Sequence, residues 1–225
     1  MKKSVKEIID KSRAIGWVME PYAKEILSAY SISVPRFKWA KSSDEALSAS
    51  RDIGYPVVAK VVSPEVVHKT EVGGVAVGIS GDEQLIAVYN RMSALPGFDG
   101  VLIDEMVKGK ELIIGSKNDV QFGPVVLIVI GGTAVKIYRD VVVRMAPTTE
   151  KKALGALNEF RGRELLTGHR GEKPVNLKPL VKLIERFSEM VIDLREWVES
   201  IDMNPVFSNE KNSFAADARF ILADN

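Results

Sequence analysis

The stretch from Val57 to Val75 reads VVAKVVSPEVVHKTEVGGV. Its first six residues are apolar apart from Lys60, which predicts a short buried strand with a cation near its end. Gly73-Gly74 predicts a turn, because glycine adopts backbone conformations that other residues rarely adopt. Between them stands His68, one of two histidines in the chain, and imidazole can carry a proton or a phosphoryl group near neutral pH. The stretch therefore predicts a loop that handles phosphate.

Each of these signals has an ordinary alternative. Lys60 could be a solvated lysine at a strand end, and a hairpin turn explains Gly73-Gly74 equally well. His68 taken alone fits a hydrogen-bonded structural histidine. The rest of the chain has to decide between the two interpretations.

The bulk composition is that of an ordinary globular protein. The chain has 225 residues, 46% hydrophobic and 27% charged, and its net charge is +1. Without an overall positive field, we expect no nucleic-acid partner. No apolar run approaches the roughly 20 residues that cross a bilayer, so we expect no membrane association. The absence of cysteine excludes disulfides, thiolate metal sites and cysteine nucleophiles, and a cytoplasmic protein is the simplest interpretation.

Hydrophobic periodicity predicts an α+β fold with two lobes that divide near residues 104–109. Predicted helices span 4–13, 20–30, 43–53, 82–95, 147–160 and 177–193, and in the fourth we expect Leu85, Ile86, Tyr89 and Met92 to face inward. Predicted strands span 32–40 (at a sheet edge, because of Pro35), 57–62, 75–79, 101–107, 111–116, 124–130, 134–138, 141–144, 199–207 and 214–222.

The segment Glu105-Met106-Val107 ends one predicted strand, and Glu111 begins the next. A chain that crosses between two lobes can offer backbone N–H and C=O groups to the edge of an adenine. A carboxylate just beyond can bond ribose hydroxyls, as acidic residues do in other nucleotide sites. The alternative for Glu111 is a surface charge at the start of a strand.

Asn204 and Asp217 stand on the two predicted strands that close the chain, and they could converge on one face. Two hard oxygen ligands together with nucleotide phosphates make a typical Mg²⁺ site. Asp217 lies in an otherwise apolar predicted strand, where a carboxylate needs a metal or a cation beside it. A salt bridge to an arginine remains the alternative.

Two further residues are weaker candidates. Arg144 closes the predicted strand 141–144 and could hold a phosphate through two N–H groups, or it could form a structural ion pair. His169 lies in a loop flanked by glycines, and we rank it below His68.

In this order and spacing the segments resemble the ATP-grasp β subunit of ADP-forming acetate–CoA ligases, within the nucleoside-diphosphate-forming acyl-CoA synthetase superfamily. The resemblance covers roughly residues 15–222. The matching segments are Gly54–Lys60, Ser63-Pro64, His68–Thr70, Val72–Val75, Glu105–Val107, Gly109, Glu111, Phe122–Pro124, Gly131-Gly132, Asp140, Arg144, Ala146-Pro147, Gly168, Arg170-Gly171, Asp202, Asn204-Pro205 and Asp217–Arg219. The His68-Lys69-Thr70 element favours the acetate branch over succinyl-CoA synthetase β subunits, which lack it.

The resemblance implies an ATP-grasp fold in which two α+β subdomains enclose a nucleotide, with the first subdomain in 1–104 and the second, bearing the Mg-nucleotide site, in 105–225. The implied reaction is acyl-CoA + ADP + phosphate ⇌ carboxylic acid + CoA + ATP. The resemblance implies that Lys60 binds the α- and β-phosphates and that Gly73 and Gly74 form the phosphate loop. It implies that the adenine is bound by Glu105, Met106 and Val107, the ribose by Glu111, and Mg²⁺ by Asn204 and Asp217. It also implies that Arg144 contacts the phosphoryl group during transfer and that His68 becomes a phosphohistidine.

The resemblance also implies a partner. No Gly-x-Gly-x-x-Gly segment for CoA binding occurs in the chain, so we expect activity only with a separate CoA-binding α subunit, in an α2β2 heterotetramer. The loop of His68 would then have to reach a phosphate donor on that subunit. The alternatives are a non-catalytic nucleotide-sensing regulatory subunit, a succinyl-CoA synthetase β-like subunit, and an ATP-grasp ligase that makes an acyl phosphate directly.

Overall fold

A computed structural model describes residues 1–132, 140–168 and 173–224. The strands are β1 (Trp17–Val18), β2 (Phe37–Ala40), β3 (Val57–Val61), β4 (Val75–Ile79), β5 (Val101–Glu105), β6 (Lys110–Asp119), β7 (Gly123–Ile130), β8 (Val141–Met145), β9 (Val198–Ser208), β10 (Ser213–Ala215) and β11 (Ala218–Leu222). The α-helices are Lys3–Ser12, Glu20–Ala29, Ser43–Ile53, Asp82–Met92, Glu150–Asn158, Glu164–Thr167 and Leu177–Leu194, and a 3-10 turn covers Arg13–Ile15.

The chain forms two compact units, each with its own core. The small unit comprises Met19–Pro21 and Pro35–Val107, and the large unit comprises Met1–Val18, Tyr22–Val34 and Lys108–Asn225. The predicted domain boundaries, 1–104 and 105–225, stay a prediction. Most residues before position 35 belong to the large unit, together with Lys108–Asn225. They do not belong to the unit formed by Pro35–Val107, which follows them in the sequence.

The small unit is built on a four-stranded antiparallel sheet in the order β2-β5-β3-β4. Helices Ser43–Ile53 and Asp82–Met92 pack against it. The first of these begins where the Ser42 hydroxyl accepts a hydrogen bond from the Glu45 N–H, and it ends at Gly54, whose φ of 93° suits glycine. Because β3 is an inner strand, its residues are covered on both edges by β4 and β5.

The large unit is built on a seven-stranded antiparallel sheet in the order β1-β11-β9-β6-β7-β8, with β10 beside β9. Residues alternate between its two sides, as strand geometry requires. On the side we call the helix side, Ile114, Val126 and Ile128 are fully buried in one core with the long helix Leu177–Leu194. The opposite side carries Gly115, Leu127 and Asp202, which stand in register across β6, β7 and β9.

Most predicted elements are present, with ends shifted by a few residues, but two details were wrong. Ile86 is 38% exposed, because the helical period places Leu85, Val88, Tyr89 and Met92 on the buried side of their helix. The predicted strand 214–222 is two strands, β10 and β11, so Asp217 lies in the break between them.

Two sequence predictions fall outside the described residues, the strand at 134–138 and the loop of His169. Pro35 precedes β2, which lies at the edge of its sheet as predicted. Within residues 1–132, 140–168 and 173–224, every helix is too short or too polar to span a bilayer.

Candidate functional site

Lys60 is buried, with 7% of its surface exposed. It lies on the inner strand β3, and its Nζ is 2.6 Å from Glu20 Oε1 and 3.0 Å from Asp104 Oδ2. A buried ammonium is tolerated only when carboxylates compensate its lost hydration, and both of these carboxylates are themselves buried. The alternative of a solvated lysine at a strand end is therefore wrong, and Lys60 belongs to a charged network inside the small unit.

Glu20 links this lysine to the segment that carries His68. Its Oε1 contacts Lys60, and its Oε2 accepts a hydrogen bond from the Nζ of Lys69, the residue after His68. Only 4% of Glu20 is exposed. Nothing in the local sequence indicates this role, because an acidic residue before Pro21 is expected at a helix start, where its charge interacts favourably with the helix dipole.

His68 is exposed, while the chain on both sides of it is anchored. Val66 is buried in the core of the small unit, and Lys69 reaches Glu20. The carbonyl of Lys69 also accepts a hydrogen bond of 2.7 Å from the N–H of Gly74. These contacts anchor the backbone on both sides of His68 and leave its imidazole accessible to solvent.

The two glycines of the loop are required for different reasons. Gly73 has a φ of 69°, a region that residues with a Cβ rarely adopt. At Gly74 the constraint is space, because a Cβ there would lie 2.6 Å from Val61 Cγ1 and 3.0 Å from the Lys69 carbonyl oxygen. The close passage of Gly74 past Lys69 is thus part of what fixes the backbone beside His68.

Glu105 ends β5 and is held by Arg36. The side-chain hydrogen bond from Arg36 Nε, at 3.0 Å, lowers the pKa of the Glu105 carboxyl despite its partial burial. The Glu105 N–H donates to the Arg36 carbonyl at 2.8 Å. The Glu105 side chain and N–H are therefore both engaged, and the role of Glu105, Met106 and Val107 around adenine stays a prediction.

Glu111 is exposed on β6, beside the glycine pair Gly131-Gly132 that follows β7. Its carbonyl accepts a hydrogen bond of 2.7 Å from Gly131 N–H, and a Cβ on Gly131 would lie 3.0 Å from Glu111 Cβ. At Gly132 the nearest atom to such a Cβ would be Glu111 Oε2 at 3.5 Å. The glycine pair therefore leaves room for the carboxylate that we expect to contact ribose.

Asn204 and Asp217 are neighbours, because the Asn204 N–H donates to the Asp217 carbonyl at 3.2 Å. Asp202 lies two residues before Asn204 on β9, pairs in register with Arg219 and is half-buried. Burial raises the pKa of the Asp202 carboxyl, the charge of Arg219 opposes this rise, and the negative charge of Asp217 adds to it. The charges of Asp202 and Asp217 therefore interact, Arg219 acts more strongly on Asp202 than Asp217 does, and a divalent cation would add a further positive charge beside the two carboxylates.

The sequence prediction passed over Asp202 as a site residue. Its spacing of two from Asn204 was the available signal, because strand residues at i and i+2 share one side of a sheet. Among the described residues, no group of three or more His, Asp or Glu side chains is arranged to hold a metal ion. A cation here would therefore need oxygens from a ligand to complete its coordination.

Arg144 lies on the helix side of the large sheet. It stands opposite Val126 in register, and its guanidinium forms an ion pair with Glu159 and donates to the Val143 carbonyl at 2.8 Å. Asp202 lies on the opposite side. The geometry therefore favours the structural ion pair, and a contact between Arg144 and a moving phosphoryl group stays a prediction.

The two antiparallel sheets and the buried lysine on β3 agree with the fold class that the sequence predicts. The family model for the ATP-grasp domain matches residues 11–222, so the chain belongs to the ATP-grasp family and has the predicted fold.

Within that family the chain groups with the β subunits of ADP-forming acetate–CoA ligases. It is 42% identical over 226 residues to "Acetate--CoA ligase [ADP-forming] I subunit beta" of Pyrococcus furiosus, a match that covers 96% of this chain and 97% of that protein.

Two solved structures of dinucleotide forming acetyl-coenzyme A synthetase 1 from Ca. Korarchaeum cryptofilum are also similar. One, in complex with coenzyme A, Ca-AMPCP and HgCl+, gives a TM-score of 0.90 at 37% identity and covers 97% of this chain and 99% of that one. The other holds coenzyme A and Mg-AMPPCP, with a phosphohistidine segment pointing towards the nucleotide binding site. It gives a TM-score of 0.86 at 34% identity and covers 97% of this chain and 100% of that one.

Proposed function

We propose that this chain is the nucleotide-binding β subunit of an ADP-forming acid–CoA ligase, in which phosphate passes through His68 to ADP. The observation that carries the proposal is an exposed imidazole on an anchored loop, tied through Glu20 to the buried Lys60. The Pyrococcus relative supports it, because that protein is by name the β subunit of such a ligase.

The transfer takes place in two displacements at phosphorus. A nitrogen of the neutral His68 imidazole attacks the phosphoryl group on a histidine of the partner; a new N–P bond forms, and the electron pair of the old one returns to the donor imidazole. An oxygen of the ADP β-phosphate then attacks the same phosphorus. The P–O bond of ATP forms as the N–P bond breaks, and its electron pair returns to His68.

Residues of the chain would hold the nucleotide in the following way. Lys60 would contact the α- and β-phosphates as a point charge, and Glu111 would bond the ribose. Glu105, Met106 and Val107 would frame the adenine, with Gly73 and Gly74 giving the phosphate loop its shape. Asn204 and Asp217 would hold Mg²⁺, whose charge offsets that of the phosphate oxygens when it is bound.

Replacement of Asp217 by asparagine is expected to weaken binding of the magnesium nucleotide, because a charged ligand becomes a neutral one at a site of crowded oxygens. Calorimetric titration with Mg-ADP, compared with ADP in the presence of EDTA, measures the effect. Glu159→Gln is a matched control, since it removes a carboxylate from the helix side of the same unit. An unchanged Mg²⁺ dependence in Asp217→Asn would exclude Asp217 as a ligand.

We further propose that the working enzyme contains a CoA-binding α subunit in an α2β2 heterotetramer, located in the cytoplasm. The name of the Pyrococcus relative supports a partner subunit. The stoichiometry follows from the family resemblance, and the compartment follows from the absence of cysteine.

Reconstitution tests the proposed function. The chain, co-expressed with its CoA-binding partner, is expected to form ATP from acetyl-CoA, ADP and phosphate, and the ATP is measured with a luciferase assay. Formation of ATP that needs both subunits supports the proposal. Nucleotide binding without ATP formation, over a range of acyl-CoA substrates, would favour the non-catalytic nucleotide-sensing alternative.

A further inference from the structure

The network around Glu20 joins two groups that the proposed function uses separately. One is Lys60, which would hold the nucleotide phosphates. The other is His68, which would carry the phosphoryl group. Each oxygen of a single buried carboxylate contacts a different lysine, Lys60 through Oε1 and Lys69 through Oε2.

A buried carboxylate is a rigid anchor for two ammonium groups. Glu20 is 4% exposed and is the first residue of the helix Glu20–Ala29. Lys60 is fixed by β3 and by its second ion pair, with Asp104 at 3.0 Å. Lys69 is the member of the network that lies on a loop. Only 13% of the Lys69 side chain is exposed, and its ammonium group forms an ion pair with the Glu20 carboxylate.

The contacts that fix Lys69 also restrict the backbone of His68, its neighbour in the chain. Adjacent Cα atoms are separated by about 3.8 Å through a planar peptide, so an anchored Lys69 restricts where the His68 backbone can lie. The hydrogen bond from Gly74 N–H to the Lys69 carbonyl restricts the same peptide from its other side. The imidazole itself remains exposed.

We propose that Glu20 is a positioning residue for phosphoryl transfer, acting through Lys69 to keep His68 at a fixed distance from the phosphates held by Lys60. The inference rests on the proposed function and adds a residue to it. Phosphoryl transfer needs the attacking atom about 3–3.5 Å from the phosphorus. A displacement of 1 Å can lower the rate about 100-fold. Loss of the link is therefore expected to slow transfer while nucleotide binding persists.

The test uses the chain purified with its CoA-binding partner and ATP labelled in the γ-phosphate. Label on this chain is separated from label on the partner by gel electrophoresis, and acid-labile, base-stable label reports phosphohistidine. Rapid-quench sampling gives the rate of labelling, and titration with a non-hydrolysable ATP analogue gives the nucleotide Kd.

Lys69→Met is expected to lower the labelling rate by about 10- to 100-fold with an unchanged nucleotide Kd, because Glu20, Lys60 and Asp104 stay in place. Lys69→Arg, which keeps a cation for Glu20, should restore most of the rate. If Lys69 had only a structural role, both variants would have a lower melting temperature. The labelling rate would then not fall at an unchanged nucleotide Kd.

Glu20→Gln removes the other end of the same link. If both residues act through one contact, the double variant Glu20→Gln/Lys69→Met should label no more slowly than the slower single variant. Losses that multiply would overturn the inference. If Glu20→Gln does not fold, the comparison of Lys69→Met with Lys69→Arg decides the question by itself.

Two controls separate this inference from the proposed function. Asp52→Asn breaks the exposed ion pair with Lys38 in the same unit and should label at the wild-type rate; slowing equal to that of Lys69→Met would overturn the assignment. His68→Ala should take no label. If His68→Ala is unlabelled while Lys69→Met labels at the wild-type rate, only the role of Glu20 and Lys69 fails. If His68→Ala keeps its label, the proposed relay fails first.

Discussion

Replacement of His68 by alanine is expected to abolish ATP formation from acyl-CoA, ADP and phosphate by the assembled enzyme. Alanine offers no nitrogen to accept the phosphoryl group, so the relay between the subunits has no carrier. Nucleotide binding should persist, because the imidazole is exposed and the loop keeps its anchors at Val66 and Lys69. A luciferase assay for ATP and a titration with Mg-ADP measure the two effects on one preparation.

The matched control is His169→Ala, which replaces the only other histidine of the chain. That variant should retain the capacity to form ATP. Normal turnover in His68→Ala would remove His68 from the mechanism and point to direct transfer from the partner to ADP. Loss of turnover together with loss of nucleotide binding would mean that the substitution has disturbed the site as a whole.

Replacement of Lys60 by alanine is expected to destabilise the chain as well as to weaken nucleotide binding. Removal of one partner from a buried ion pair typically costs about 3–5 kcal/mol, since the opposite charge stays buried with less compensation. Both Glu20 and Asp104 contact this ammonium inside the small unit. For a chain of this size the melting temperature should fall by about 6–20 °C. In the folded fraction, loss of one charge-assisted contact should raise the nucleotide Kd by roughly 10- to 150-fold.

Lys38→Ala provides the comparison, because Lys38 pairs with Asp52 on the surface of the same unit. An exposed pair contributes about 0–1 kcal/mol, so its melting temperature should barely change. Differential scanning calorimetry without nucleotide separates folding from binding. Equal melting temperatures for Lys60→Ala and the wild-type protein would contradict the buried network around Glu20.

Local sequence determined much of the fold. The valine-rich run that contains Lys60 predicted β3, and the helix Ser43–Ile53 was located by the polar start and the glycine that ends it. Such signals lie within a few residues of the structure they specify. The paired strands near the end of the chain were predicted for the same reason, although the break at Asp217 was missed.

The charged network could not have been predicted in this way. Glu20 and Lys60 are 40 positions apart in the chain, and only the tertiary structure brings them together. At Arg144 the residue type was available from the sequence, but its contacts were not. Its residue type suggested a phosphate contact, but the side of β8 on which it lies, and its partner Glu159, depend on how helices cover the sheet. Candidate residues can therefore be named from the sequence, whereas their contacts depend on the tertiary structure.

The alternation along β9 has a consequence for how sequences of this kind can vary. Met203 is fully buried, while Asp202 and Asn204, on either side of it, carry the oxygen donors. Substitutions can change the buried residues of β9 without changing its oxygen donors, or the reverse. Deletion of a single residue, however, would exchange the two sides of the strand, because side chains alternate with a period of two. A deletion within residues 200–203, where β9 pairs with β11 without a register shift, should therefore destabilise the large unit more than a substitution at the same positions.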